Sequence, residues 1–327
     1  MPYESGQGKT AVGLFVDGLQ LKYVQLSLTA GRVAFRDFKT VSLVAKLEEK
    51  AAAAKEGAWS ADAADDAFGV APDTEAAAKE ATTNATVLLN LLGDLPPTKY
   101  TVSFALSEPA VTYQEFDTDF GLSGSKLKKK IAQELAATRA ESPPLDSLDA
   151  IPTASGGLLS IVRQGGLQLY DLLTEIQSSL NGRLPNVKLI HCADLALMEL
   201  VRSSYEIREE EVSVLVYVGH DFSRLIFMQG NNYLHFAPII SEGYGTANID
   251  NTIYSRIRLE EDNIAVTRIN RILLAGESHK VNLLEAIAPR FPNAEVEYVK
   301  APDVDLSLNT ETVNEVISEY AIPLAVA

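Results

Sequence analysis

The chain has little that could crosslink it or anchor it in a membrane. Cys192 is its single cysteine among 327 residues, so no internal disulfide can form. This suits a reducing compartment. No apolar run reaches the ~18 residues that a membrane helix needs, and the first residues, MPYESGQGKT, lack the apolar core of a signal peptide. We therefore expect a cytoplasmic protein that reaches a membrane only as a peripheral component, through a partner.

Positive charge is also scarce. The chain has 28 Lys and Arg against 44 Asp and Glu, a net charge of −16. Nucleic-acid binding needs clustered Lys and Arg, and so does docking on anionic lipid. We therefore expect no nucleic-acid partner and no direct membrane insertion. The four His show no metal-ligand spacing, so no metal site is expected.

Three segments show a strand, then a glycine turn, then a second strand or a helix: Val12–Leu26, Val214–Phe236 and Arg271–Ile287. In the first, β-forming residues surround Asp17-Gly18, a hairpin signal. A third strand follows at Val33–Val44, and the second half repeats this order. Two halves that each open with three antiparallel strands indicate an internal repeat.

Between these segments the patterns predict a mixture of helices and strands. An Ala-, Asp- and Glu-rich stretch, 46–72, is expected to be a partly helical insertion. Periodicity predicts a helix over Thr74–Leu92 and one terminal helix over Thr312–Ala327. Alternation predicts strands at Thr101–Leu106, Val111–Phe116 and Leu158–Val162, with a loop over Thr138–Ala154.

The three motifs read GLFVDGLQLKYVQL, LVYVGHDFS and ILLAGES, and the chain closes with AIPLAVA. In order and spacing they resemble the type IV pilus assembly protein PilM family, in the FtsA-like branch of the actin-like ATPase superfamily. The resemblance implies an α/β, actin-like (ribonuclease H-like) two-lobed fold with an inserted FtsA/PilM-type extra subdomain. It places the first lobe at 1–98, the extra subdomain at 99–192, with its distal part returning to the first lobe, and the second lobe, with a C-terminal helix, at 193–327.

The sequence departs from the family pattern where the chemistry would occur. Phe15 and Tyr217 stand where the family has the two Asp that hold hydrated Mg²⁺ and orient the attacking water. Asp17 and Glu277 replace glycines of turns that approach phosphate or nucleotide closely. We therefore expect no catalytic residue and a pseudo-ATPase.

A degenerate nucleotide cleft is nevertheless predicted from what is retained. ATP with Mg²⁺ stays open as a ligand, and either of the two Asp in the turns could be a shifted metal ligand. The residues that the resemblance assigns to this cleft are Asp17, Gly18, Lys22, Gly219, Asp221 and Gly276.

The resemblance further implies a scaffold or adaptor of a type IV pilus or type II secretion-like machine. Its partner would be a short cytoplasmic peptide of a PilN-like bitopic membrane protein, held in a groove between the first lobe and the extra subdomain. A sheet edge near Val102–Phe116 could accept such a peptide by strand addition. Pilus motor ATPases are further candidate partners. Two alternatives stay open: an active ATPase or kinase of the same fold, and the cytoplasmic domain of a GspL-like secretion protein, which would continue past Ala327 into a membrane helix.

Overall fold

The computed structural model describes residues 9–29, 32–47, 83–95, 98–138, 142–165, 167–301 and 310–327. Nearly all of the predicted insertion at 46–72, and the first part of the helix predicted from Thr74, lie outside these ranges. The strands are β1 (Lys9–Asp17), β2 (Gln20–Thr29), β3 (Arg32–Ser42), β4 (Tyr100–Leu106), β5 (Val111–Phe116), β6 (Leu148–Pro152), β7 (Leu158–Arg163), β8 (Asn186–Cys192), β9 (Val212–Val218), β10 (Ser223–Gln229), β11 (Asn232–Phe236), β12 (Arg271–Gly276) and β13 (Glu295–Tyr298). The α-helices are α1 (Asn84–Leu92), α2 (Gly124–Thr138), α3 (Gln168–Glu175), α4 (Ala193–Ser204), α5 (Ile249–Asn263), α6 (Leu283–Ile287), α7 (Thr310–Glu319) and α8 (Ala321–Val326).

Two five-stranded sheets repeat one topology. The first has the order β3-β2-β1-β4-β8 and the second the order β11-β10-β9-β12-β13. In each, three antiparallel strands form a meander. A fourth strand then pairs in parallel with the first strand of the meander, and a fifth pairs in parallel with the fourth. The predicted two-lobed repeat is therefore confirmed.

A smaller sheet, β5-β7-β6, forms the extra unit together with α2. The loop predicted over Thr138–Ala154 is wrong in part, because β6 lies within it and pairs with β7. Leu148 explains this strand: it is buried against Ile131 and Leu135 of α2. The proline and serine content of this segment is typical of a loop. It nevertheless forms a strand, because its apolar side chain is buried against α2.

The strand β4 belongs to the first sheet, where β1 and β8 pair with its two sides. The predicted strand addition near Val102 is therefore wrong for β4, which has no free edge. β5 and β8, in contrast, are edge strands of their sheets. The domain limits at 98/99 and 192/193 stay a prediction, and the pairing of β4 favours an extra unit that starts after Leu106.

The single terminal helix that we predicted is in fact two helices. Tyr320, with φ −104° and ψ 20°, separates α7 from α8. α7 packs on β12 of the second sheet, whereas α8 packs on β1 and β4 of the first. The chain therefore crosses from one lobe to the other at Tyr320.

The core runs continuously between the lobes. One face of the second sheet, including Leu215, Tyr217 and Leu273, belongs to the same buried cluster as the first sheet, α4 and α8. Its other face packs against Ile253 and Ile257 of α5. Of the helices in the described ranges, none is long and apolar enough to cross a membrane.

Candidate functional site

The predicted cleft residues converge between the two sheets. Asp17 and Gly18 form the β1–β2 turn, Gly219 and Asp221 lie in the β9–β10 turn, and Gly276 ends β12. Since β9 and β12 are parallel neighbours, Gly276 lies beside the end of β9. The predicted cleft is therefore a real junction of three chain segments, although whether it binds a nucleotide stays a prediction.

Asp17 connects the two turns. Its side chain is buried, its Oδ2 accepts a hydrogen bond from the His220 backbone N–H (2.6 Å), and its Oδ1 accepts one from the Asp221 N–H (3.1 Å). The Tyr217 hydroxyl donates a third bond at 3.3 Å. Successive N–H groups of such a turn are the groups that bind anions in nucleotide sites. Here the carboxylate of Asp17 takes that position.

The environment of Asp17 explains its protonation behaviour. Burial raises the pKa of the Asp17 carboxyl above its usual value, and the amides of His220 and Asp221 partly oppose this effect. The buried Glu277 adds to the rise in the pKa, whereas Lys22 lowers it. The junction therefore already holds two buried carboxyl groups, those of Asp17 and Glu277, and negative charge there repels a phosphate.

The glycines are needed because the turns touch each other. A Cβ on Gly18 would lie 2.4 Å from Oδ2 of Asp221, and one on Gly219 would lie 2.0 Å from Oδ2 of Asp17. A Cβ on Gly276 would lie 2.1 Å from the carbonyl oxygen of Val218. In this chain the space that glycine leaves is filled by the protein itself.

Lys22 is neutralised internally. Its fully buried ammonium lies 3.3 Å from Oε1 of Glu277 and donates to the carbonyl oxygen of Glu319 at 3.3 Å. Glu277 is also fully buried and forms a second ion pair with Lys280 (3.2 Å). A buried pair of this kind is strongly disturbed when one partner is lost. The lysine that the resemblance assigns to the cleft thus serves the contact between β2 and the end of β12.

Two aromatic rings occupy the positions of the missing carboxylates. Phe15 and Tyr217 are 6.1 Å apart between centroids, at 86°, an edge-to-face contact. Both are almost completely buried. Burial raises the pKa of Tyr217 well above its usual value, so the phenol stays neutral at physiological pH. These positions therefore supply packing where a metal site would need charged oxygen ligands.

Asp221 is held at the rim. Lys46 forms an ion pair with it at 2.5 Å, and Nδ1 of His220 lies 2.6 Å from its Oδ1. Hydrogen bonds from Lys46 and His220 lower the pKa of the Asp221 carboxyl. The Asp221 carboxylate is therefore engaged within the protein, by Lys46 and His220. No group of three or more His, Cys, Asp or Glu within the described residues could hold a metal ion.

Sequence reasoning missed three participants. Lys46, which follows β3, contacts Asp221. Lys280, in the turn after β12, contacts Glu277. Glu319 of α7 accepts a hydrogen bond from Lys22. The sequence shows Glu277 where the resemblance leads us to expect glycine. A carboxylate at that position is a signal for a cationic partner. The two partners that it has, Lys22 and Lys280, follow only from the packing of the lobes.

The comparisons with known proteins bear on the fold. No family model matches the chain, and the search of curated proteins gives no match. Among solved structures, a PilM–PilN type IV pilus biogenesis complex is similar at 16% identity over 97% of each chain, with a TM-score of 0.57. A Bacteroides thetaiotaomicron protein with an actin-like ATPase fold and unknown function matches at 10% identity over 92% of this chain and 93% of that one, with a TM-score of 0.48. The cytoplasmic domain of EpsL, an inner-membrane component of the Vibrio cholerae type II secretion system, matches at 9% identity over 92% and 86%, with a TM-score of 0.42.

Proposed function

We propose that the protein is a nucleotide-independent scaffold that binds a short segment of an inner-membrane partner in a pilus-type assembly machine, on the cytoplasmic side. Its fold is similar to that of the chain in the PilM–PilN complex. A PilN-like cytoplasmic tail is accordingly the partner we propose.

The contact of Asp17 with the β9–β10 turn supports the proposal that the scaffold works without a bound nucleotide. A phosphate bound between the turns would need the N–H groups of His220 and Asp221. These groups already bond to Asp17. An incoming phosphate would have to displace this carboxylate and separate Lys22 from Glu277. Both steps cost free energy, because each leaves buried charges without partners.

The test of nucleotide independence is calorimetry with ATP and Mg²⁺ on the purified protein, combined with thermal unfolding. We expect no binding heat and no change in Tm at millimolar ATP. A ligand at 100 times its Kd would stabilise the fold by about 2.7 kcal/mol, which is readily detected. Micromolar binding would overturn the proposal and favour an active ATPase or kinase.

A groove between β8 and the extra unit is the proposed peptide site. Its lining includes Leu106, Val111, Ile161 and Ile190, and its volume is about 180 Å³. β8 is the edge strand of the first sheet, and Ile190 is 36% exposed. An extended peptide could add main-chain hydrogen bonds to this edge and place alternate side chains in the groove.

The peptide site can be tested with a synthetic cytoplasmic tail of a bitopic membrane protein encoded beside this gene. We expect Ile190→Glu to weaken its binding in calorimetry by about tenfold or more, since a carboxylate would replace an aliphatic contact with the peptide. Leu259→Glu on α5 is the matched control, because Leu259 is also an exposed aliphatic side chain (50%). Equal binding by the wild type and Ile190→Glu would reject this site.

A further inference from the structure

A large cavity lies at the end of the first sheet opposite to the cleft. β1, β4 and β8 are parallel, so their first residues meet at one end: Thr10 is paired with Tyr100, and Thr101 with Asn186. A groove of about 1120 Å³ opens there. Because the cleft lies at the other end of these strands, the two features are separate.

The lining of this groove has an unusual charge. Four cationic side chains, Lys9, Lys99, Arg183 and Lys188, line it, and no Asp or Glu does so among the described residues. All four are exposed, and none forms an ion pair with another described residue. In a chain with 44 acidic residues and a net charge of −16, this groove is a local concentration of uncompensated positive charge.

The floor of the groove combines apolar side chains with one polar group that lacks a partner. Leu28, which is 42% exposed, and Leu184 contribute aliphatic surface. Tyr100 is only 3% exposed, and its hydroxyl has no hydrogen-bond partner within the described part of the chain. The aliphatic side chains thus form an apolar floor beside the four cations.

We propose that this groove binds an acidic, extended peptide segment of a partner protein, with carboxylates facing the four cations and aliphatic side chains on the floor. Charge complementarity selects such a segment, because acidic peptides are repelled by the rest of this surface. The volume exceeds that of a small-molecule pocket and accommodates several side chains. The inference does not depend on the proposed function, since the groove shares no lining residue with the site proposed beside β8 and lies at the other end of the first sheet from the cleft.

The experiment uses a fluorescein-labelled peptide that alternates glutamate and leucine, with fluorescence anisotropy as the readout. A peptide with lysine in place of glutamate is the negative probe. We expect binding of the acidic peptide alone. Its affinity should fall as the ionic strength rises from about 0.01 to 0.15 M, which shortens the Debye length from roughly 30 to 8 Å.

Charge-reversal variants assign the binding to the groove. Lys99→Glu with Arg183→Glu should weaken it by about tenfold or more. The matched control is Lys126→Glu with Lys129→Glu on α2, which changes the net charge equally at exposed positions. If the reversed variant unfolds, Lys99→Gln with Arg183→Gln takes its place.

Three results would overturn the assignment. The first is equal weakening by both pairs of substitutions, which indicates a general charge effect. The second is binding of the whole protein to phosphatidylserine vesicles but not to the acidic peptide. The third is self-association, measured by sedimentation, that depends on Lys99 and Arg183 while the peptide does not bind.

Discussion

At the level of single residues, Asp17 illustrates how one side chain can join two turns that are distant in the sequence. The motif that it interrupts resembles a pattern with glycine at this position, and a glycine would leave the two N–H groups of the β9–β10 turn without this acceptor. With aspartate, the first lobe provides the anion itself, at 2.6 Å from the His220 nitrogen. The two turns are thus joined by intramolecular hydrogen bonds.

Replacement of Asp17 by alanine should therefore destabilise the fold. The N–H groups of His220 and Asp221 would lose their acceptors, and we expect a loss of about 2 kcal/mol in the free energy of unfolding. Urea denaturation followed by circular dichroism measures it. Asp149→Ala is the control, because the Asp149 side chain is 75% exposed. A loss no larger than that of the control would show that the contact is not stabilising.

His279 gives the junction a predictable pH dependence. Its Nε2 lies 3.4 Å from Oε2 of Glu319. Burial lowers the pKa of the imidazole and Lys280 lowers it further, against the opposing charges of Glu319, Glu315 and Glu277. The unfolded chain therefore takes up the proton at a higher pH than the native protein does. The contribution of His279 to the free energy of unfolding is thus fully present above the unfolded pKa of about 6.5. It decreases as the pH falls below that value.

We expect His279→Gln to remove part of this acid sensitivity. Between pH 7.5 and 5.5 the wild type should lose up to about 1.4 kcal/mol more than the variant, the maximum for one group over one pH unit below 6.5. Urea unfolding at both pH values measures the difference. The same loss in both proteins would mean that His279 does not contribute, and His191, whose pKa burial also lowers, would be the next candidate.

At the level of elements, the contact of α8 with β1 sets how closely the C-terminal segment approaches the first sheet. A Cβ on Gly13 would lie 1.8 Å from the carbonyl oxygen of Pro323 and 2.8 Å from its carbonyl carbon. These are backbone atoms, so no side-chain rotation can relieve the contact. α8 can therefore cover β1 only because residue 13 is glycine.

Gly13→Ala should accordingly displace α8 and cost about 2 to 3 kcal/mol, the range of overpacked cores. Gly245→Ala is the matched control, since its Cβ would have no atom within 4 Å. Chemical denaturation of both variants, with hydrogen exchange of Ala321–Val326 as a local probe, measures the effect. Unchanged exchange in α8 of Gly13→Ala would contradict the packing argument.

At the level of the whole molecule, Arg224 joins the three units. This buried residue of β10 lies 3.1 Å from Asp194 of α4 and 3.1 Å from Glu108, which precedes β5, and it stacks over Phe236 at 4.9 Å. The second lobe is thereby connected to the first lobe and to the extra unit through one guanidinium group. Relative movement of the lobes would have to break these bonds.

Arg224→Met should cost about 3 to 5 kcal/mol, because Asp194 would be left buried without its cation. Arg208→Met is the control: the side chain of Arg208 is 78% exposed, 3.8 Å from Glu211, and such a pair contributes less than about 1 kcal/mol. Scanning calorimetry would show the decrease. We also expect the variant to unfold less cooperatively, and a single transition with the Tm of the control would exclude this role.

The sequence by itself determined the local elements, the order of the two meanders and the departures at Phe15 and Tyr217. These are encoded in short-range periodicity and turn residues, which act within a few positions of the chain. The resemblance of its three motifs also assigned to one cleft the six residues that meet between the sheets.

Only the tertiary structure decided what those residues do. The bonds of Asp17 to the β9–β10 turn span about 200 positions of the chain, and the pair of Lys22 with Glu277 spans more. Three further features also depend on which elements pack together. They are the division of the terminal helix at Tyr320, the place of β4 between β1 and β8, and the grouping of Lys9, Lys99 and Arg183. Such contacts leave no local pattern, because their free energy arises from burial and pairing between distant segments.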